Sequence, residues 1–266
     1  MSRKAALRAL SALLVCLLAL SRPVWAEEEE AADEIPWSMI VFKEKYPEAS
    51  DYVDAYPEKH LYLHEVDLED EVTEGTIPLF IQWDERWGYV EMDNSYIGIS
   101  GCGPTCLSMV VCGLTGSTDW NPKALAAYTV EHNYYHTGSG TSWDLMTTGA
   151  EDLGLAVEEG EITADYINEK LKQGCPIICS VMRGDFTYTG HYIVLRGLTA
   201  GGRILVNDPN SRINSSVSWR MDELLPQIKA LWSYTVSNSQ QPDAPETQIA
   251  TAEEYGEDDA SKETNA

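Results

Sequence analysis

The spacing of apolar residues changes partway along the chain. Leu107, Val110, Val111 and Leu114 recur at helical intervals, and similar patterns continue to about residue 173. Beyond residue 176, short β-branched runs bounded by Gly, Pro and Asn indicate strands. These patterns predict helices over 47–56, 102–113, 122–132, 143–153, 163–173 and 221–231, and strands over 177–181, 191–195, 203–206 and 232–236. Helices followed by antiparallel strands indicate an α+β fold with two lobes.

The first 26 residues have the pattern of a secretory signal peptide. Arg3, Lys4 and Arg8 precede an apolar run over 9–20, and Val24 and Ala26 place small side chains where a signal peptidase reads them. The alternative is an uncleaved membrane anchor, but the run is shorter than the roughly 20 residues that span a bilayer. We therefore expect cleavage after Ala26 and a secreted, extracellular protein.

The balance of charged residues limits the kinds of binding partner that we expect. The chain of 266 residues has 18 basic and 43 acidic residues and a formal charge of −25. Removing the signal peptide takes away four basic residues and leaves 14 against 43, a charge of −29. Nucleic acid and anionic membranes bind clustered Lys and Arg, so we expect neither as a partner.

Composition also divides the mature chain into segments. Residues 27–75 form an acidic leader with one short helical segment, and the main domain begins near Thr76. Residues 238–266 are rich in Gln, Pro, Asp, Glu, Ser and Thr, which predicts a disordered acidic tail. The main domain is accordingly expected over 76–237.

The sequence GCGPT at 101–105 opens the first helix of this domain. A thiol at a helix N-terminus lies in the positive end of the helix dipole, which favours the nucleophilic thiolate. Cys102 is therefore a candidate nucleophile. The alternative is a buried or disulfide-bonded cysteine, which is common in exported proteins.

His191 and Asp208 supply the partners that such a nucleophile needs. His191 begins one predicted strand and Asp208 follows the end of the next. A turn centred on Thr199 and Ala200 would place the two residues opposite each other, to within about one or two residues, with Asp208 accepting the imidazole N–H. Gln82 is a candidate oxyanion donor beside the backbone N–H of Cys102, or else a surface residue on an edge strand.

Five segments resemble, in order, the stand-alone C39-like cysteine peptidases, relatives of the bacteriocin-processing peptidases with a papain-like fold. They are IPLFIQWDERWG, GISGCGPTCLSMVVCGLTG, GSGTSWDLM, GHYIVLRG and LVNDPNSR, and the similarity extends over about 76–236. It implies that Cys102 is the nucleophile, His191 the general base, Asp208 its orienting carboxylate and Gln82 the oxyanion residue. In the bacteriocin-processing enzymes that Gln lies only a few residues before the Cys, whereas here residues 83–101 intervene.

The expected activity is therefore hydrolysis of a peptide or protein substrate without metal or cofactor. Cell-wall amidases or endopeptidases and acyltransferases use the same Cys and His chemistry, and a peptide-binding module without turnover is a further alternative. The spacings of Cys106, Cys112, Cys175 and Cys179 are poor for zinc, and any disulfide would have to join the first pair to the second.

Overall fold

A computed structural model describes residues 34–237. The predicted signal peptide and acidic tail lie outside these residues. No helix within 34–237 is long and apolar enough to cross a membrane.

The described chain begins with short helices. Helix α1 (Trp37–Lys45) and α2 (Ser50–Asp54) enclose a 3-10 turn at Pro47–Ala49, and a second 3-10 turn follows at Tyr56–Leu61. Their apolar side chains form a cluster with the segment around Ile81, Trp83 and Tyr89. The N-terminal segment is thus packed against the rest of the fold.

The middle of the chain is mainly helical. In order it contains α3 (Glu85–Gly88), β1 (Glu91–Met92), β2 (Ser95–Tyr96), α4 (Ile97–Ser100), α5 (Cys102–Thr115), α6 (Pro122–Glu131), β3 (Tyr135–His136), β4 (Gly140–Thr141), a 3-10 turn (Trp143–Leu145), α7 (Thr148–Asp152), β5 (Leu155–Glu159) and α8 (Ala164–Lys172). The Asn121 side chain caps α6 by accepting hydrogen bonds from the N–H groups of Lys123 and Ala124, both at 3.1 Å.

The rest of the described chain is mainly sheet. Its elements are β6 (Ile177–Met182), β7 (Gly190–Leu198), β8 (Ile204–Asn207), α9 (Arg212–Ser216), β9 (Ser218–Trp219), α10 (Met221–Leu224), a 3-10 turn (Leu225–Gln227) and β10 (Ile228–Val236). Six strands form one antiparallel sheet in the order β5-β10-β6-β7-β8-β9. The expected α+β fold, helices first and antiparallel sheet after, is confirmed.

The sheet has an apolar core on each face. Helix α5 packs on one face, where Leu107 and Val110 join a large cluster with Tyr192 and Val194. Helix α8 covers the other face through Ile167. Because α5 is buried from Gly103 to Gly113, the residue at its N-terminus is held by a rigid core helix.

Three predicted helices differ from the structure. The helix expected over 47–56 is a 3-10 turn at Pro47–Ala49 followed by α2. The helix expected over 221–231 ends at Leu224, because Pro226 cannot continue it and the following residues pair with β6. The helix expected over 143–153 is a 3-10 turn and α7, interrupted at Thr147. Strand β5 was not predicted, because its largely exposed, glutamate-rich sequence has no clear alternation.

Candidate active site

Cys102 is the first residue of α5, and Gly101 is its N-cap. The first N–H groups of a helix have no intrahelical acceptor, so they and the helix dipole favour negative charge at this position. Cys102 is partly exposed, whereas the following turns of the helix are buried. A Cβ on Gly103 would lie 2.6–2.7 Å from side-chain atoms of Thr141, so glycine permits β4 to approach the start of the helix.

His191 and Asp208 are hydrogen-bonded. His191 Nε2 lies 2.8 Å from Asp208 Oδ1, and the two residues are only 8% and 0% exposed. The same carboxylate oxygen accepts the backbone N–H of Asn210 at 2.9 Å. Because Nε2 is bonded to Asp208, Nδ1 is the ring nitrogen of His191 that can interact with another group. The buried Asp208 carboxylate is shielded from water.

The strand register that brings His191 and Asp208 together is not the predicted one. Val194 pairs with Asn207, so the register differs by two residues from the predicted one and Asp208 is not directly opposite His191. The turn is centred on Gly201, since Leu198 pairs with Ile204, and not on Thr199 and Ala200. Asp208 instead follows the end of β8, where the chain turns and its side chain reaches the His191 ring.

The surroundings of His191 favour its protonated form. Burial lowers the pKa of the imidazole, but the charge and hydrogen bond of Asp208, together with a hydrogen bond and charge interaction from Cys102, raise the pKa of His191 to about 10. The Cys102 side chain therefore interacts with the same ring that Asp208 orients. An imidazolium beside a thiol stabilises the thiolate.

Gln82 is buried next to the segment that precedes the helix. Its Nε2 donates to the Gly98 carbonyl oxygen at 2.9 Å, and its backbone N–H donates to the Pro209 carbonyl at 2.7 Å. Its Oε1 is buried with no hydrogen-bond partner among residues 34–237. Gln82 thus links the chain just before Cys102 to the chain just after Asp208.

Two further side chains form hydrogen bonds with Asp208. Asn214 Nδ2 donates to Asp208 Oδ2 at 2.8 Å, and the Ser215 hydroxyl accepts the Asp208 backbone N–H at 2.9 Å. Both residues belong to α9. Neither residue was predicted from the sequence. The run of Asn and Ser that begins six residues after Asp208 was the available signal, because such side chains often form local hydrogen bonds.

Glu48 in turn holds the start of α9. Its carboxylate accepts the Ser211 hydroxyl and the backbone N–H groups of Arg212 and Ile213, the latter two at 2.9 and 3.1 Å. A carboxylate at a helix start satisfies N–H groups that would otherwise lack acceptors. No sequence signal could have found this contact, because 163 residues separate Glu48 from Ser211.

The thiol of Cys102 and the ring of His191 line one cleft of about 740 Å³. The helical side contributes α4, the start of α5 and the loop around β3 and β4, and the sheet contributes β6, β7 and β10. Its other lining residues are Ile99, Ser100, Tyr135, Gly138, Ser139, Gly140, Thr141, Trp143, Ser180, Val181, Met182, Thr189, Gly190, Tyr192 and Lys229.

The remaining cysteines have different surroundings. All five cysteines of the described region, including Cys102, are free thiols. Burial raises the pKa of Cys112 to about 11 and raises the pKa values of Cys106, Cys175 and Cys179. Within residues 34–237, no three His, Cys, Asp or Glu side chains are grouped to hold a metal ion.

Residues 75–240 match the Peptidase_C39 like family. The match covers more than half of the chain, and the protein therefore belongs to this family of cysteine peptidases. The resemblance stated from the sequence motifs is confirmed. No curated protein matches the chain.

One similar solved structure is the peptidase domain of Streptococcus ComA, described as a bi-functional ABC transporter involved in a quorum sensing pathway. It is 19% identical over 52% of this chain and 92% of that chain, with a TM-score of 0.39.

Proposed function

We propose that this protein is a secreted cysteine peptidase that hydrolyses peptide bonds through Cys102, His191 and Asp208. The single observation that carries the proposal is the buried 2.8 Å contact between His191 and Asp208, on a ring that also interacts with Cys102 in an open cleft. A nucleophile, a base and an orienting carboxylate in hydrogen-bonded order are the requirements for covalent acyl transfer.

The proposed reaction begins with the Cys102 thiolate. Its sulfur attacks the carbonyl carbon of a peptide bond, a C–S bond forms, and the carbonyl oxygen becomes an oxyanion. The His191 imidazolium then donates its proton to the leaving amine as the C–N bond breaks. The now neutral His191 takes a proton from a water molecule that attacks the thioester. The C–S bond breaks, the acid product leaves, and the thiolate–imidazolium pair is restored.

The oxyanion requires donors at the start of α5. The backbone N–H of Cys102 is one, because it belongs to the first helical turn. Gln82 is the second in this proposal: its amide nitrogen has two hydrogens, and one is donated to Gly98. The other hydrogen remains for an oxyanion, and the hydrogen bond to Gly98 fixes the amide plane.

A labelling experiment tests the proposed nucleophile. The folded protein is treated with a thiol-directed activity probe, alongside Cys102→Ala and, as matched control, Cys175→Ala. We expect labelling to be lost only in Cys102→Ala. Peptide libraries then identify the reaction: hydrolysis adds one water and creates a new amino terminus, whereas transfer to an added amine would indicate an acyltransferase. A protein that binds peptides but cleaves none would contradict the proposed activity.

Secretion is supported by the basic start, the apolar run and the small residues before Glu27. N-terminal sequencing of the protein recovered from culture medium should begin at Glu27. A chain that keeps Met1 and stays with the membrane would contradict secretion without affecting the proposed chemistry.

A further inference from the structure

The cleft has an unusual charge distribution for so acidic a protein. The chain has 43 acidic and 18 basic residues, yet among residues 34–237 no carboxylate lines the cleft that holds Cys102. In this described part of the chain, its ionisable lining side chains are Lys229, His191, Cys102 and two tyrosines. Lys229 therefore places a positive charge in a cleft without a lining carboxylate, in contrast to the negative charge of the whole molecule.

Lys229 lies at the start of β10, next to Ile228, which pairs with Val181 of β6. Its Nζ stands 5.3 Å from the centre of the Trp143 ring. A cation over an aromatic face is held in place, but the ring does not neutralise its charge. Among residues 34–237, no carboxylate oxygen lies within 4 Å of Lys229 Nζ, in contrast to Lys43 and Lys170.

The surface beside this cation is apolar. Trp143 is 41% exposed and Met182 is 43% exposed, and both line the same cleft. An exposed tryptophan and methionine next to an unpaired lysine would contact the hydrocarbon part of a ligand while the ammonium group contacts its anionic end. This combination of apolar surface and one cation suits a carboxylate-bearing group of a peptide.

We propose that Lys229, with Trp143 and Met182, forms a specificity subsite for a carboxylate of the substrate peptide. This inference rests on the proposed peptidase function and names its substrate class. The carboxylate belongs either to an Asp or Glu side chain or to the C-terminus of the peptide.

The net negative charge of the protein does not oppose this preference at close range. Charges separated by more than the Debye length, about 8 Å at physiological ionic strength, are largely screened. A carboxylate seated against Lys229 interacts mainly with that ammonium group. An exposed pair of this kind favours an acidic ligand over its amide by roughly fivefold, and the preference should weaken as salt rises.

The test compares matched peptides that carry Glu, Gln or Lys at each position around the scissile bond, each with a free or amidated C-terminus. Turnover is measured for the native protein, Lys229→Gln, Lys229→Glu and the control Lys172→Gln, which alters an exposed lysine on α8. We expect the native protein and the control to favour one acidic position. Lys229→Gln should abolish that preference, and Lys229→Glu should reverse it towards Lys. A preference for Glu places the subsite ligand in a side chain, and a preference for the free C-terminus places it at the chain end.

A binding assay separates this inference from the proposed activity. The same peptides are titrated into Cys102→Ala, alone and combined with the Lys229 variants, and isothermal titration calorimetry measures binding. Lys229-dependent binding of acidic peptides in this assay, together with no cleavage by the native protein, would overturn the proposed function and support the subsite. The subsite would be overturned if cleavage and binding did not depend on peptide charge, or if that dependence were the same in the Lys229 variants. It would also be overturned if the protein neither bound nor cleaved the peptides.

Discussion

Asn214 donates a hydrogen bond to Asp208 on the carboxylate oxygen that does not face His191, at 2.8 Å. Because Asp208 is fully buried, its two oxygens depend on protein donors in place of water. The start of the helix that carries Asn214 is held by Glu48 of the N-terminal segment. A segment that precedes the family domain thus supports the residues around His191.

Asn214→Ala removes the donor to Asp208 Oδ2. Hydrogen bonds to charged groups contribute about 1.5–3 kcal/mol, so a loosened carboxylate should lower kcat at least about tenfold and leave KM nearly unchanged. Steady-state kinetics on one peptide measure both parameters. Ser216→Ala, an exposed change on the same helix, is the control. A rise in KM with unchanged kcat would show that Asn214 contacts substrate instead.

Glu48→Ala removes the acceptor for three donors at the start of α9. Loss of this capping carboxylate should reduce the free energy of unfolding by about 0.5–2 kcal/mol, measured by urea denaturation. Glu48→Gln keeps one carbonyl oxygen as acceptor and should lose less. Glu44→Ala, an exposed change in the same segment, should have little effect. Equal losses in Glu44→Ala and Glu48→Ala would contradict a specific role for Glu48.

The α+β order and the proximity of His191 to Asp208 could be predicted, because strand ends and helix starts follow from local residue patterns. The register between strands β7 and β8 could not be predicted. The turn is centred on Gly201, where Leu198 pairs with Ile204, and not on Thr199 and Ala200. The register therefore differs by two residues, and the contact forms because Asp208 lies beyond the strand, where its side chain turns toward the ring.

The sequence patterns could not predict contacts between segments that lie far apart in the chain. Glu48 caps a helix that begins 164 residues later, and Lys229 was assigned to a helix although it lies in β10 at the edge of the cleft. Periodicity identifies which face of an element is buried, but not which distant residue covers it. The residues that support a site are often such distant residues.

Asp208→Asn removes the charge that maintains the His191 imidazolium. Burial lowers the pKa of His191, and Asp208 is the main influence that raises it to about 10. Without that charge the pKa should fall below the ordinary value of about 6.5. We expect the alkaline limit of kcat/KM to move to lower pH than in the native protein, with a large fall in kcat and little change in KM. An unchanged alkaline limit would contradict the role of Asp208.

The same pKa difference makes folding stability depend on pH. The pKa of His191 is higher in the folded protein than in the unfolded chain, so protonation of His191 favours folding. This contribution is present in full below about pH 6.5 and is lost as pH rises through about 10. The stability difference between the native protein and Asp208→Asn should therefore shrink between these limits. Chemical denaturation across this pH range measures it, and a difference that grows with pH would have the wrong sign.

Cys102 should be the first thiol that iodoacetamide alkylates. Cys106 lies one turn further along α5, but it is completely buried, and burial raises the pKa of its thiol. The more informative competitor is Cys175, which is partly exposed like Cys102 but lies in a turn after α8, where burial raises its pKa. Exposure alone would label these two at similar rates.

The difference between Cys102 and Cys175 is the electrostatic environment. Cys102 stands at a helix start beside His191, and both the helix dipole and an imidazolium favour the nucleophilic form of a thiol. Peptide mapping after brief labelling between pH 5 and 9 should show carbamidomethyl Cys102 throughout and carbamidomethyl Cys175 only towards the alkaline end. His191→Ala should slow labelling of Cys102 at low pH and leave Cys175 unchanged. If Cys175 reacted first, or if His191→Ala left the Cys102 profile unaltered, Cys102 would not be the activated nucleophile.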